Sequence, residues 1–251
     1  MRATMVIQEA QGKRLIAKGV AADTAVKNAL SNGIVVITLG TTNAYVAEEI
    51  LGAPVDRGAF AAGYIDDRFN LNARLGDTDE IILRQGAQVQ ATNEEILRDL
   101  SVSDVVIKGG NALDPWGTVG VLLGARSGGT VDRYVAPALA RGATIVVPIS
   151  LAKAVHSSVT DLATRLGIDR VERSTGLPCG MYPLVGRVVT EIDALELLFP
   201  VEATHMASGG VGVGAGSVSL LVCGEPKNVQ AAFDLVASLA EEPGIALEGR
   251  Q

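Results

Sequence analysis

The hydrophobic and polar positions alternate between two periods along this chain. Residues Thr4 to Gln8 read as a strand, and Ala22, Ala25, Val26 and Leu30 then recur at the spacing of one helical face, predicting a helix from about Ala21 to Leu30. Asn32-Gly33 is a stop signal, where glycine can take the left-handed turn that closes a helix. Ile34 to Leu39 is apolar without alternation, the pattern of a strand covered on both faces in a parallel sheet. Ala44 to Leu51 predicts the next helix, ended by Gly52.

The middle of the chain repeats this rhythm. Strand-like runs occupy Gly58 to Ile65 and Glu80 to Gln90. Thr92 followed by Glu95 has the spacing of a capping box, so "TNEEILRDL" predicts a helix. "SDVVIKGG" is another buried strand, "GGTVDRYVAPALARG" a helix stopping at Gly142, and "ATIVVPIS" a further strand. Such alternation implies an α/β fold with an open, mostly parallel, Rossmann-like sheet flanked by helices. After Leu166 the order changes: Gly186 to Val189, a helix capped by Thr190, strands Val201 to Ala207 and Ser217 to Cys223, the helix "KNVQAAFDLVASLAEE" and a last strand "GIALEG". That order is the ferredoxin-like α+β arrangement. The expected domains are therefore residues 1–175, Rossmann-like and ligand-binding, and 176–251, ferredoxin-like.

Composition narrows the function. The 251 residues are 48% hydrophobic but only 4% aromatic, with 29 glycines, as in an α/β protein packed with small aliphatic side chains. The net charge of -7, with 21 basic residues spread singly, disfavours nucleic acid, whose phosphates need a local basic patch. Cys179 and Cys223 form no CxxC pair, so buried thiols are expected rather than a metal site or disulfide. The opening "MRATMVIQEA" lacks the basic and apolar regions of a signal peptide, and no apolar run reaches membrane-span length. A cytoplasmic protein without membrane partners, assembled as a homo-oligomer, is the expectation.

The chemistry centres on "LGTTNAYVAEEIL". A strand running through Gly40, Thr41, Thr42 and Asn43 into a helix leaves main-chain N–H groups free to meet an anion, with threonine hydroxyls as extra donors. Plain capping by Thr42 or Asn43 is the other reading. Lys108, beside Gly109 and Gly110 after an apolar strand, suits a phosphate partner, a Schiff base if desolvated, or a solvated lysine on a turn. Asn111 and Asp114 could grip ligand hydroxyls, although "NALDPWG" is also rich in turn formers. Trp116 could shelter a ligand, pack, or join an interface. His156, His205 and Glu202 are weaker candidates. "GGVGVGAG" joins two strands rather than opening a helix, so it fails as a dinucleotide fingerprint and reads as a glycine flap or hairpin loop. No P-loop, HExxH or GxSxG sequence is present.

"AADTAVKNALSNGIVVITLGTTNAYVAEEIL", "SDVVIKGGNALD" and "GATIVVPISLAKAV" together resemble the ribose-5-phosphate isomerase A and DeoR-type sugar-phosphate sensor superfamily over roughly residues 20–155. The resemblance implies an isomerase/CoA-transferase-like fold and a Gly/Ser/Thr phosphate loop at Gly40–Asn43. It also implies a lysine at Lys153 beside the ligand, and a ferredoxin-like second domain. The isomerase's acidic loop is missing: Lys108, Asn111 and Ala112 stand at its acidic positions, leaving Asp104 and Asp114 nearby. Moving a proton between adjacent carbons needs a carboxylate, so binding is favoured over isomerisation.

The expected ligand set is Gly40, Thr41, Thr42, Asn43, Lys108, Gly109, Gly110, Asn111, Asp114 and Lys153, around a small anionic metabolite such as a sugar phosphate or nucleotide. Lys108, Asp114 and Asp104 are the catalytic candidates if there is a reaction. No metal is expected and the cofactor is left open. Competing expectations are a sugar-phosphate isomerase or acyl/CoA-type transferase of the same superfamily, and a structural or assembly protein. A repressor is disfavoured because no helix-turn-helix precedes the domain.

Overall fold

The computed structural model describes residues 1–73 and 78–246. Strand β1 (Arg2–Ile7) leads into helices α1 (Glu9–Ala22) and α2 (Thr24–Asn32), then strand β2 (Ile34–Ile37). Helix α3 (Thr41–Leu51) and the single turn α4 (Arg57–Phe60) precede the hairpin β3 (Ile81–Arg84) and β4 (Ala87–Gln88). Next come α5 (Asn93–Asp99), β5 (Val105–Ile107), β6 (Ala112–Leu113), β7 (Val119–Leu123), α6 (Ala136–Arg141) and β8 (Thr144–Pro148). The remainder is α7 (Val159–Arg165), β9 (Gly180–Leu184), β10 (Arg187–Val189), α8 (Glu191–Leu198), β11 (Val201–Gly209), β12 (Ser217–Gly224) and α9 (Pro226–Ser238).

The fold is mixed α/β. Its largest sheet has six strands in the order β10-β8-β5-β2-β3-β4. The first four are parallel, and β3 and β4 add antiparallel edges. Every residue of β2 and β5 is buried, which is what their unbroken apolar runs require. The parallel register pairs Ile37 with Ile107 and Ile107 with Val146, so the segments leaving β2, β5 and β8 emerge side by side at one sheet edge. Ligands of open parallel sheets bind at such edges.

Two smaller antiparallel sheets complete the molecule: β1-β12-β11 and β6-β7-β9. Three pairings join strands on opposite sides of position 175, namely β1 with β12, β10 with β8 and β9 with β7. Residues 176–251 therefore do not build their own sheet in the expected order. β1 supplies the third strand beside β12, and β10 belongs to the large sheet. Residues 244–246 of the expected last strand are not in a strand, and 247–249 lie outside the described residues.

Local signals explain most boundaries. Thr92 and Glu95 form the expected capping box, with Thr92 N–H donating to Glu95 Oε2 at 2.8 Å. Thr190 caps α8 through Asp193 in the same way. Gly52 and Gly142 are left-handed, as expected of helix-closing glycines.

Three readings need correction. The first helix begins at Glu9, not Ala21, and is separated from α2 by Asp23, whose Oδ1 accepts from Ala25 N and Val26 N. Gly58 to Ile65 contains the turn α4 and irregular chain, not a strand. Gly33 ends α2 with φ -138°, in extended rather than left-handed conformation. Glycine is needed there for space, because a Cβ would lie 2.5 Å from Asp104 Oδ1.

Asp104, buried just before β5, is a brace. Its Oδ1 accepts from Ile34 N and its Oδ2 from Ser101 N, each at 2.6 Å. Removing the carboxylate orphans two main-chain donors at the start of the central strands. We expect Asp104→Ala to lower unfolding free energy by about 2–4 kcal/mol in urea titrations, given the cost of two lost charge-assisted bonds.

Candidate anion-binding cleft

The cleft forms where β2, β5 and β8 end. After β2, Thr38 stays in register by donating from its N–H and its hydroxyl to Ile107 O, at 3.1 and 3.0 Å. Gly40 then precedes α3, with Thr41 as the first helical residue. The threonines and Asn43 are thus inside the helix, not its caps. Asn43 Nδ2 reaches back to Thr38 O at 2.8 Å and ties the first turn to the strand end.

Of the four amides in this loop one is already used: Gly40 N–H donates to Phe60 O at 3.0 Å. Among the described residues, those of Thr41, Thr42 and Asn43 have no protein acceptor. Thr42 Oγ1 and Asn43 Oδ1 are buried and likewise without a partner. The helix dipole adds partial positive charge at this end.

Two lysines face the same turn. Lys108 follows β5 and is buried, and its Nζ donates to the adjacent Gly109 O at 3.0 Å. Lys153 ends a short 3-10 turn (Leu151–Lys153) after β8, with its Nζ on Gly110 O at 2.7 Å. Among the described residues neither ammonium is in an ion pair. Burial pushes the Lys108 pKa down to about 8. Lys153 is also lowered to about 8, first by burial and then by the neighbouring charges of Lys13 and Lys108. Gly110 must lack a side chain, since a Cβ there would meet Val119 Cγ1 at 2.1 Å.

Gly40, Thr41, Thr42, Asn43, Lys108, Gly109, Gly110, Asn111 and Lys153 all line one niche of about 30 Å³, room for a single water-sized group. The niche meets a cavity of about 340 Å³ along Thr41, Asn111 and Lys153. Asn111 is a strut within this wall: its Nδ2 donates to Gly63 O and its Oδ1 accepts from Leu122 N.

Other candidates lie elsewhere. Asp114 accepts from Trp116, Thr118 and Val159 N–H groups, which hold its carboxyl below the usual range against the opposing effect of burial. It closes the β6–β7 turn and lines a separate cavity with His205. Asp104 sits at the opposite end of β5 from Lys108. Trp116 is 73% exposed on the Asp114–Thr118 turn, away from the cleft. His156 is exposed, and His205 Nε2 contacts Ala207 O and Ser208 Oγ on β11. Cys179 is a buried thiol whose pKa burial raises, and Cys223 is half-buried.

Sequence reasoning missed three contributors. Lys13, buried on α1, lines the larger cavity and pairs with Glu9 at 2.6 Å. Its signal was the Glu9–Lys13 spacing of four, characteristic of one helical face. Glu191, buried and pushed up in pKa by that burial, accepts from Ser150 Oγ and Leu151 N, so it positions the turn carrying Lys153. Gly244 and Ile245 wall the cavity, on a segment held by Tyr45 Oη donating to Pro243 O and by Glu242 paired with Arg14 and Arg57.

Comparison with protein-family models, with curated proteins and with solved structures finds no match to this chain. No helix among the described residues is long and apolar enough to cross a membrane.

The lysines make stability depend on pH. Between about 8 and the ordinary lysine value of 10.5, the unfolded chain holds the Lys108 proton and the folded one does not. Stability therefore rises as pH rises through that window. We expect Lys108→Met to raise unfolding free energy at pH 7 by on the order of 2–3 kcal/mol and to flatten its rise above pH 8, read by urea denaturation across pH.

Proposed function

We propose that this protein binds a small phosphorylated metabolite, with an anionic phosphoryl oxygen entering the niche and the rest of the molecule in the adjoining cavity. The observation that carries the reading is a pair of lysines, Lys108 buried and Lys153 half-buried, without carboxylate partners among the described residues and facing the open amides of an 11-residue helix. Enclosing an unpaired charge costs several kcal/mol, which a dianionic ligand offsets by pairing with both lysines at once. Thr41, Thr42 and Asn43 donate main-chain N–H groups, Lys108 meets the anion from within, and Lys153 meets it at the junction. Gly109 and Gly110 allow close approach, and Gly40 sets the turn.

The four parallel strands with this site at their carboxyl edge support a Rossmann-like reading of the large sheet. The β1-β12-β11 layer under α8 and α9 then takes the part of the ferredoxin-like unit, completed by β1. The exposed apolar side chains Met206, Val211 and Val213 around the β11–β12 turn support a homo-oligomer, which we place in the cytoplasm.

Isothermal calorimetry with inorganic phosphate and ribose 5-phosphate tests the proposal. Saturable binding is expected for both. Loss of one charge-assisted contact, about 1.5–3 kcal/mol, should make Lys108→Ala bind some 10- to 100-fold more weakly. Asp114→Asn should change affinity by less than about threefold, as a residue outside the cleft. No saturable binding of either ligand to the wild-type protein would contradict the proposal.

A further inference from the structure

We propose that Lys153 is a nucleophile that forms an imine with a phosphorylated aldehyde or ketone held in this cleft, an inference that rests on the phosphate-binding reading above. Its position differs from that of Lys108. Lys108 lines the niche but not the 340 Å³ cavity, whereas Lys153 lines both, so its amine borders the part of a ligand that the phosphate leaves behind. The ammonium end is oriented by Gly110 O at 2.7 Å, on a turn braced by Glu191. A carbonyl one or two carbons from a phosphoryl group anchored by Lys108 and the α3 amides falls beside this nitrogen.

The surroundings favour a neutral amine. Lys13 and Lys108 both bear on Lys153 as like charges, and its pKa of about 8 leaves roughly a tenth of the free amine available at pH 7. Glu9 sits on the cavity wall but is paired with Lys13.

The chemistry is self-contained. The Lys153 nitrogen lone pair forms a bond to the carbonyl carbon while the C=O π pair moves onto oxygen, giving a carbinolamine. The two protons lost by nitrogen leave with that oxygen as water, and a C=N bond remains. No oxidant, reductant or metal is consumed. A protonated imine withdraws electrons from the adjacent carbon, which suits aldol-type or proton-transfer reactions of small keto or aldehydo phosphates.

The test is borohydride trapping on the full-length protein. Wild type is incubated with dihydroxyacetone phosphate or, separately, glyceraldehyde 3-phosphate, treated with sodium borohydride, and read by intact mass and peptide mapping. We expect one reduced adduct per chain on Lys153, at least about tenfold above any other lysine, because this amine is activated and also borders the cavity that would hold the carbonyl. Excess inorganic phosphate should suppress it, unphosphorylated dihydroxyacetone should not reproduce it, and Lys153→Arg should lose it. An adduct confined to Lys13 or Lys108, labelling spread over surface lysines, or no adduct overturns the imine. If calorimetry shows phosphate bound while trapping fails, the imine alone is wrong; if phosphate does not bind, both readings fall.

Discussion

Two lysines at the end of a parallel sheet, one buried and one half-buried, each given one glycine carbonyl and, among the described residues, no carboxylate, are the constraint around which this molecule is arranged. Fixed features of the fold hold them together. The parallel register of β2, β5 and β8 delivers Gly40, Lys108 and Lys153 to one edge. Asn43 stitches the first turn of α3 to that edge, and the free amides there share the lysines' sign. Packing alone gives no reason to gather like charges in this way; an anion would resolve the conflict, which is the ground for the phosphate site proposed above.

Around that centre the remaining polar groups are largely structural. Asp104 and Asp114 look like chemistry in sequence because isolated acids near a lysine invite it, yet each spends its oxygens on main-chain donors. Asn111 is similarly committed. Of the carboxylates on the cavity wall, Glu9 is paired with Lys13 and Asp66 accepts from Arg68 N, Phe69 N and Asn72 Nδ2, while Glu191 is buried beneath the Lys153 turn. Positive charge therefore prevails in the niche even though the whole chain carries -7.

What was legible in the sequence was local. The apolar runs read at Ile34–Leu39 and within "SDVVIKGG" announced the buried strands β2 and β5, and the capping box at Thr92 and the cap at Thr190 announced helix starts. Nine of the ten expected ligand residues share one niche, because the ends of neighbouring parallel strands must meet. What was hidden was long-range. Nothing in "RATMVI" names residues 217–224 as its partner, so β1 could not be assigned to a sheet with β12. Helix α1 was missed because its start is marked by glutamines, with Gln8 N–H capped by Gln11, rather than by a familiar Ser, Thr or Asp. Missing α1 hid Lys13, one of the two like charges that add to burial in lowering the Lys153 pKa.

The most direct measurement is the number of protons taken up when phosphate binds, from calorimetry at a pH just above 8 in buffers of different ionisation enthalpy. Lys108 and Lys153 are about half neutral there when the cleft is free, and pairing with a dianion would recharge them. The account predicts clear net proton uptake that shrinks below pH 7 and is reduced in Lys108→Met. Binding without proton uptake, or uptake unchanged by that substitution, would contradict the claim that enclosed, unpaired lysines make this cleft an anion site.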